Sequence, residues 1–234
     1  MKVQAQLLKG FRDFLPAQLK KRQAVIGVIK QVFESYGFEQ LETPTLEYAS
    51  TLLGKYGEEA DQLVYTFKDR GAREVGLIYD LTVPTARVLA TYQNELPIPF
   101  KRYQIQRVWR ADKPQKGRYR EILMCDIDIF GVTSEAADAE IIAIIDSLLK
   151  RLGFPQYTIK VNSRKVLANL LAEAGIVDSQ LQEKTLQSID KLDKKSKEEV
   201  IEELKTRNLS EDQITSLFKL LDTVVPDASL EKVL

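Results

Sequence analysis

The sequence predicts an α+β protein, with a mostly antiparallel sheet flanked by helices and a small all-helical subdomain after it. Two strand-like runs within residues 100–131 flank a basic turn, which is the pattern of a long β-hairpin. Apolar residues recur at helical spacing over residues 17–36, and strand signals stop at Arg164. We therefore expect a first domain at residues 1–164 and a helical one at residues 165–234.

The elements before the hairpin are predicted from periodicity and from the positions of proline and glycine. The stripe over residues 17–36 is predicted as a helix that ends at Gly37. Residues 38–46 are predicted as a strand, and Pro44 suits an edge or a bend rather than a central position. The next elements in order are a strand at 62–68, a turn at 69–71, a returning strand at 75–79 and a helix at 82–92 with Pro84 in its first turn.

A further helix is predicted after the hairpin, over residues 134–152, with Ser134 as its N-cap. Its expected inward face consists of Ile141, Ile142, Ile145, Leu148, Leu149 and Leu152. Residues 157–161 are predicted as a short strand.

Beyond Arg164 the sequence shows only helical stripes. The separators between them are Gly175, Asp178, Ser196 and Ser210, of which the two serines are candidate N-caps. Residues 184–205 are heavily charged, which is typical of a solvated helix surface.

The hairpin strands have two distinct faces at the strand period of two residues. One face of the first strand carries Arg102, Gln104, Gln106, Val108 and Arg110, and one face of the second carries Met124, Asp126 and Asp128. The other face of the second strand carries Leu123, Cys125, Ile127 and Ile129. Arginines opposite carboxylates could hold an anion and a cation together. The pattern also fits a solvated amphipathic hairpin with ordinary cross-strand ion pairs.

Composition narrows the possible chemistry. The chain has 34 basic and 34 acidic residues, so any basic footprint for nucleic acid is local, as in the hairpin. It has no histidine, which excludes imidazole general bases within the chain and the usual zinc sites, and we expect no bound metal. A single cysteine, no apolar run of bilayer length and no signal-peptide pattern predict a cytoplasmic protein without a membrane partner.

The hairpin resembles motif 2 of class II aminoacyl-tRNA synthetases, specifically that of histidyl-tRNA synthetase. Residues 114–121 are similar to the loop of that family, and residues 125–129 to the second strand of its eukaryotic-like branch. Other similar segments follow in the same order: the opening turn at 9–13, motif 1 at 37–47 and the amino-acid-binding segment at 79–87. The resemblance covers residues 9 to about 164, with a weaker continuation.

The resemblance implies a class II synthetase-type sheet and a histidine–tRNA ligase activity. Such an enzyme uses ATP with magnesium to activate histidine, transfers it to tRNA, and forms a homodimer through motif 1. Among the matching positions, Arg110 would be the catalytic arginine on the α-phosphate, and Asp112, Arg118 and Arg120 would lie near ATP and the end of tRNA. The matching histidine-binding positions are Asp80 and Thr82 for the ammonium group, Met124, and Asp128 for the imidazole.

Departures from the family pattern leave alternatives open. Met124 stands where the family has a glutamine that bonds the amino acid, so histidine binding should be weakened, and Ile78 replaces an arginine. Asp112 suits the eukaryotic-like pattern. The sequence to Leu234 contains neither the family's histidine loop nor motif 3, so these 234 residues alone are expected to lack activity. The alternatives are part of a ligase, a non-catalytic regulatory or sensor paralog, and a structural dimerisation module.

Overall fold

A computed structural model describes residues 4–54, 61–161 and 163–223 of the 234-residue chain. The chain forms two compact units, and the boundary lies between Ile159 and Lys160. The first unit carries both sheets, whereas the described part of the second is helical. The prediction of an α+β body followed by helices is confirmed.

The first unit begins with a long helix and ends with another. The elements are α1 (Pro16–Ser35), β1 (Glu39–Gln40), β2 (Leu46–Tyr48), α2 (Ala49–Leu52), β3 (Thr66–Lys68), β4 (Glu74–Leu77), α3 (Thr82–Thr91), β5 (Phe100–Trp109), β6 (Glu121–Phe130) and α4 (Ala136–Arg151). One sheet has the order β1-β5-β6, with β1 parallel to β5 and β5 antiparallel to β6. The other has the order β2-β4-β3 and is antiparallel throughout.

Two strand predictions are wrong. The segment 38–46 forms two short strands in different sheets rather than one interrupted strand, because the chain leaves β5 before Pro44 and pairs with β4 after it. Residues 157–161 form no strand. Instead, the Tyr157 hydroxyl donates to the Asp146 carboxylate at 2.6 Å, which ties this segment to α4.

One apolar core lies between the hairpin and the helices α1 and α4. Its fully or nearly fully buried members are Val32, Phe33, Phe38, Tyr103 and Ile144. The Tyr103 hydroxyl donates to Glu34 of α1 at 2.8 Å, and burial together with this bond raises its pKa to about 12. The odd-numbered face of β5 and β6 is therefore the face that the helices cover.

The predicted inward face of α4 is partly wrong. Ile144 is fully buried, whereas Ile145 is 36% exposed, so the buried stripe runs through Ile141, Ile144 and Leu148. The N-cap is Glu135 rather than Ser134, although the Ser134 hydroxyl still accepts from the Ala136 N–H at 3.2 Å.

The second unit consists of short helices around its own core. They are α5 (Arg164–Glu173), α6 (Ser179–Ile189), a 3₁₀ helix (Asp190–Asp193), α7 (Lys197–Thr206) and α8 (Glu211–Thr223). The core includes Leu171, Ile176, Val200, Leu204 and Leu217, each at most 1% exposed.

Both predicted serine caps of this unit are confirmed. The Ser196 hydroxyl accepts from the Glu199 N–H at 3.2 Å while the Glu199 carboxylate accepts from the Ser196 N–H at 2.9 Å. Ser210 and Gln213 exchange the same two bonds, at 3.2 and 3.0 Å. Each reciprocal pair satisfies two backbone donors that a helix start would otherwise leave unbonded.

The charged surface of residues 184–205 has an organised centre. Lys191, Lys195 and Arg207 all contact the Glu203 carboxylate. The bonds from Lys191, Ser188 and Lys195 lower the pKa of Glu203 to about 2. The pair of Lys191 with Glu203 is the leading cause. None of the described helices combines the length and hydropathy needed to cross a bilayer.

Replacing Ile144 by Ala should destabilise the first unit by about 2–5 kcal/mol, because it opens a cavity between α4 and the hairpin. The matched control is Ile145→Ala, one position along the same helix, which should change stability by less than about 1 kcal/mol. Urea unfolding followed by the fluorescence of Trp109, the single tryptophan, reports on this unit. Equal effects of the two substitutions would contradict the observed orientation of α4.

Candidate active site

The even-numbered face of the hairpin brings the predicted polar residues together. The antiparallel register places Arg102 opposite Asp128, Gln104 opposite Asp126 and Gln106 opposite Met124. Side chains directly opposite each other on one face lie about 4.5–5.5 Å apart at their Cβ atoms. The prediction of arginine opposite carboxylate is confirmed.

Arg102 is a buried cation at the centre of this face. Its side chain is 0% exposed, it is ion-paired with Asp128, and it donates to the Gln104 side-chain oxygen at 3.3 Å. Burial lowers the pKa of Arg102, and the carboxylates of Asp128, Asp126 and Asp80 act against that shift. Because a buried charge is costly unless it is paired, this is a built polar site, and the interpretation as a solvated hairpin is wrong.

A chain of amide and hydroxyl bonds continues from Arg102 along β5. Gln104 donates to the Thr43 hydroxyl at 2.9 Å and to the Gln106 side-chain oxygen at 2.7 Å. Gln106 in turn donates to the Thr43 carbonyl at 2.7 Å, and the Thr85 hydroxyl lies 3.5 Å from Gln104. The network joins the segment before Pro44, helix α3 and the hairpin into one rigid floor.

Sequence reasoning did not identify Thr43 and Thr85 as parts of this floor. Both are at most 4% exposed. A threonine beside a proline or inside a helix carries no signal of burial by itself. The sequence signal was that Gln104 and Gln106 share a strand face with Arg102. If that face is buried, its amides require hydrogen-bond partners from other segments.

Arg110 and Asp80 meet at the edge of the same face. The Arg110 Nε donates to the Tyr79 carbonyl at 3.0 Å, which fixes the guanidinium beside the segment that leads into α3. The Asp80 carboxylate accepts from the Val83 N–H at 3.2 Å, as expected for a residue at a helix start. Burial raises the pKa of Asp80, and the Val83 bond and Arg110 offset part of that effect. Thr82 lies exposed at the first position of α3.

The two loop arginines have different surroundings. Arg118 is exposed and forms a tight backbone turn with Gln115, through bonds of 2.9 and 3.2 Å. The Arg120 side chain donates to the Asp112 carbonyl at 3.1 Å and lies 3.5 Å from the Lys9 carbonyl. Arg118 is thus free to meet a ligand in solution, whereas Arg120 holds the chain's opening turn against the hairpin.

Gly10 is part of that opening turn and shows how closely it packs. Its φ of +90° lies in the left-handed region, and a Cβ there would lie 2.9 Å from the Arg120 Cγ. The Gly10 carbonyl also accepts from the Arg120 N–H at 2.8 Å. Glycine suits this position because it adopts a positive φ without strain and has no Cβ to clash with Arg120.

The two residues that depart from the family pattern, Ile78 and Met124, pack against the same apolar cluster. Ile78 is fully buried in an apolar cluster with Leu52, Tyr79 and Val108, and the partly buried Met124 packs against the same cluster. Residue 78 therefore does not face the polar site, whereas Met124 has one side toward this cluster and shares the polar face with Asp128.

The face carries both signs of charge. Its described ionisable groups are Arg102, Arg110, Asp80, Asp126 and Asp128, with one negative charge in excess when all are ionised. Arg110, fixed by its Nε, can fork across two oxygens of a carboxylate or phosphate. The carboxylates can accept from an ammonium group or a ring N–H. Such a site suits an amino acid beside a phosphate.

Comparisons with known proteins agree with this chemistry. The sequence model of the family described as "Histidyl-tRNA synthetase" matches residues 10–234. Histidine–tRNA ligases of Gloeobacter violaceus and Rhodopirellula baltica are 44% and 42% identical over 91% and 94% of this chain. A crystal structure of histidyl-tRNA synthetase from a Nostoc species superposes with a TM-score of 0.84 at 29% identity, over 99% of this chain and 51% of that one.

The chain spans about half the length of the curated relatives that it matches. The family match nevertheless includes the hairpin, the segment 79–87 and the helical second unit. The chain therefore belongs to the histidyl-tRNA synthetase family.

Proposed function

We propose that the protein acts as a histidine–tRNA ligase, which joins histidine to ATP and then transfers the histidyl group to tRNA. The observation that carries the proposal is the pairing of Arg110 with the Tyr79 carbonyl beside Asp80, on the face that also holds Asp128. This arrangement presents a guanidinium fork and carboxylate acceptors to one ligand. In the proposal, residues 1–164 form the catalytic core and residues 165–234 an inserted helical subdomain.

The first chemical step requires positioning and positive charge rather than covalent help. A carboxylate oxygen of histidine attacks the α-phosphorus, and the bond to the pyrophosphate oxygen breaks. Arg110 neutralises the charge that grows on the phosphoryl oxygens, and Arg118 meets the ATP phosphates or the tRNA end from the exposed loop. Asp112 and Arg120 support that loop, because the Arg120 side chain donates to the Asp112 carbonyl.

Histidine is held at three points in this scheme. Asp80 and Thr82 accept from the ammonium group, and Asp128 accepts from the imidazole N–H while Arg102 fixes its carboxylate. Among the described residues, no group of three or more metal-ligating side chains could hold a metal ion. We therefore assign no residue to the magnesium that accompanies ATP.

A second candidate is a non-catalytic paralog that senses histidine or regulates another enzyme. Met124 favours it, because a thioether cannot replace the amide that the family uses at this position. Ile78 does not favour it, because that side chain is buried away from the polar face. The two functions differ in one measurable step, the histidine-dependent exchange of pyrophosphate into ATP.

We also propose that the protein works as a cytoplasmic homodimer that forms through α1 and β2. Strand β2 is an edge strand of its sheet, and Leu46 and Tyr48 on it are 43% and 56% exposed. On α1, Leu19 and Val25 are 41% and 45% exposed. Exposed apolar groups beside an unpaired strand edge favour association with a second copy.

Replacing Arg110 by Lys should reduce histidine-dependent ATP–pyrophosphate exchange of the full-length protein by about 10²–10³-fold, because lysine keeps the charge but cannot fork across two oxygens. The matched control is Arg107→Lys, in the same strand but with a side chain that is 58% exposed and paired with Glu121. That control should leave the rate unchanged. Wild-type protein that binds histidine without any exchange would support the regulatory paralog instead.

Replacing Asp128 by Asn should weaken histidine binding roughly 10- to 100-fold, since the ring N–H loses a charged acceptor. Calorimetric titration measures the effect, with Glu121→Gln at the start of the same strand as the control. Because the substitution leaves Arg102 buried without its partner, a loss of about 3–5 kcal/mol in stability is expected as well. Binding is therefore compared at a temperature at which circular dichroism shows both variants folded. Unchanged affinity would remove Asp128 from the amino-acid pocket.

Sedimentation velocity at micromolar concentration should show a dimer for the wild type and a monomer for Leu46→Asp, because the substitution places a charge on the apolar edge. Val177→Asp is the control, since Val177 is 79% exposed and lies in the second unit. A wild-type monomer would disprove the proposed dimer, and dissociation by both substitutions would disprove its location.

A further inference from the structure

Asp126 is the carboxylate on the polar face to which neither the family resemblance nor the scheme above gives a role. It lies in the middle of β6, between Met124 and Asp128 on the same face and opposite Gln104. Its side chain is half-buried, and within the described part of the chain it makes no hydrogen bond or ion pair. A half-buried carboxylate without a partner is uncommon, because desolvation penalises its charge.

The two neighbouring guanidinium groups are already engaged with other partners. Arg102 is ion-paired with Asp128, and Arg110 is bonded to the Tyr79 carbonyl. Both act on Asp126 only through their electric field. The excess negative charge of this face therefore resides at Asp126 and Asp80.

Asp126 and Asp80 influence each other directly. Burial raises the pKa of Asp126 first of all, and repulsion from Asp128 adds to that shift. Repulsion from Asp126 likewise raises the pKa of Asp80, after burial. A cation between Asp80 and Asp126 would relieve the desolvation and the repulsion together.

Next to Asp126, Met124 provides no hydrogen-bond acceptor. It lies one pleat from Asp126 and packs against the apolar cluster around Ile78, so it offers no acceptor to a cation. Asp126 and Asp128 are two residues apart, which separates their Cα atoms by about 6–7 Å along a strand. That distance is comparable to the span of one amino acid from its ring to its ammonium group.

We propose that Asp126 is a specificity-determining residue that binds the substrate's α-ammonium group together with Asp80, in place of the side chain at position 124. The inference rests on the proposed function and deepens it. The ammonium group is then bound by the Asp126 carboxylate instead of a glutamine amide at position 124, and Asp128 still binds the imidazole. The loss of the amide at Met124 is then compensated within the same strand.

The test uses three ligands of the full-length protein, each titrated by calorimetry. Histidine carries the ammonium, carboxylate and ring; histidinol lacks the carboxylate; and 3-(imidazol-4-yl)propionate lacks the ammonium. Asp126→Asn should weaken binding of histidine and histidinol roughly 10- to 100-fold and leave the propionate unchanged, because only a charge-assisted bond to the ammonium is lost. Cys125→Ser, the neighbour on the opposite face, should change none of the three.

The outcomes separate the inference from the proposed function. If Asp126→Asn weakens all three ligands equally, or none of them, Asp126 does not bind the ammonium group and the inference is wrong. If wild-type protein binds neither histidine nor histidinol, the proposed function fails and the inference fails with it. Asp126→Ser is measured in the same way, and its ratio of histidinol to propionate affinity decides the result if Asp126→Asn does not fold.

Discussion

The buried ion pair of Arg102 with Asp128 is the constraint on which the first unit depends. A guanidinium with no solvent exposure is tolerated only when a carboxylate lies opposite it. This requirement fixes the register of the hairpin, because a slip of β6 by one residue would turn Asp128 to the face that α1 and α4 cover and leave Arg102 without its partner. The pair is linked to the rest of the floor through Gln104, which accepts from Arg102 and donates to Gln106.

The division of the hairpin into two faces follows from that register. The odd-numbered face contributes Tyr103 and Ile127 to the core under the helices, whereas the even-numbered face holds the polar floor. The floor reaches beyond the hairpin, since Thr43 and Thr85 belong to segments far away in the sequence. The hydrogen bonds of Gln104 and Gln106 with Thr43 and Thr85 tie these distant segments to the hairpin and restrict their movement.

The positions at which this chain differs from its family illustrate how packing limits substitution. Ile78 lies wholly inside an apolar cluster, so an arginine there would require polar partners that the cluster lacks, whereas Met124 only borders the cluster and also shares the polar face. Both apolar side chains therefore fit their apolar neighbours, and neither by itself implies a damaged site.

The sequence by itself determined the hairpin, its two faces, the helical character beyond Arg164 and the serine caps at Ser196 and Ser210, because periodicity and capping chemistry act over a few residues. It could not determine which polar face is buried. Period two assigns a side chain to a face, whereas burial depends on what packs against that face from elsewhere in the chain.

Only the tertiary structure decided that Arg102 is inaccessible, that Ile144 rather than Ile145 faces the core, and that Arg120 binds backbone carbonyls instead of facing solvent. It also divided residues 38–46 between two sheets. Each of these outcomes depends on contacts between segments that are distant in sequence, and such contacts leave no local periodic signal.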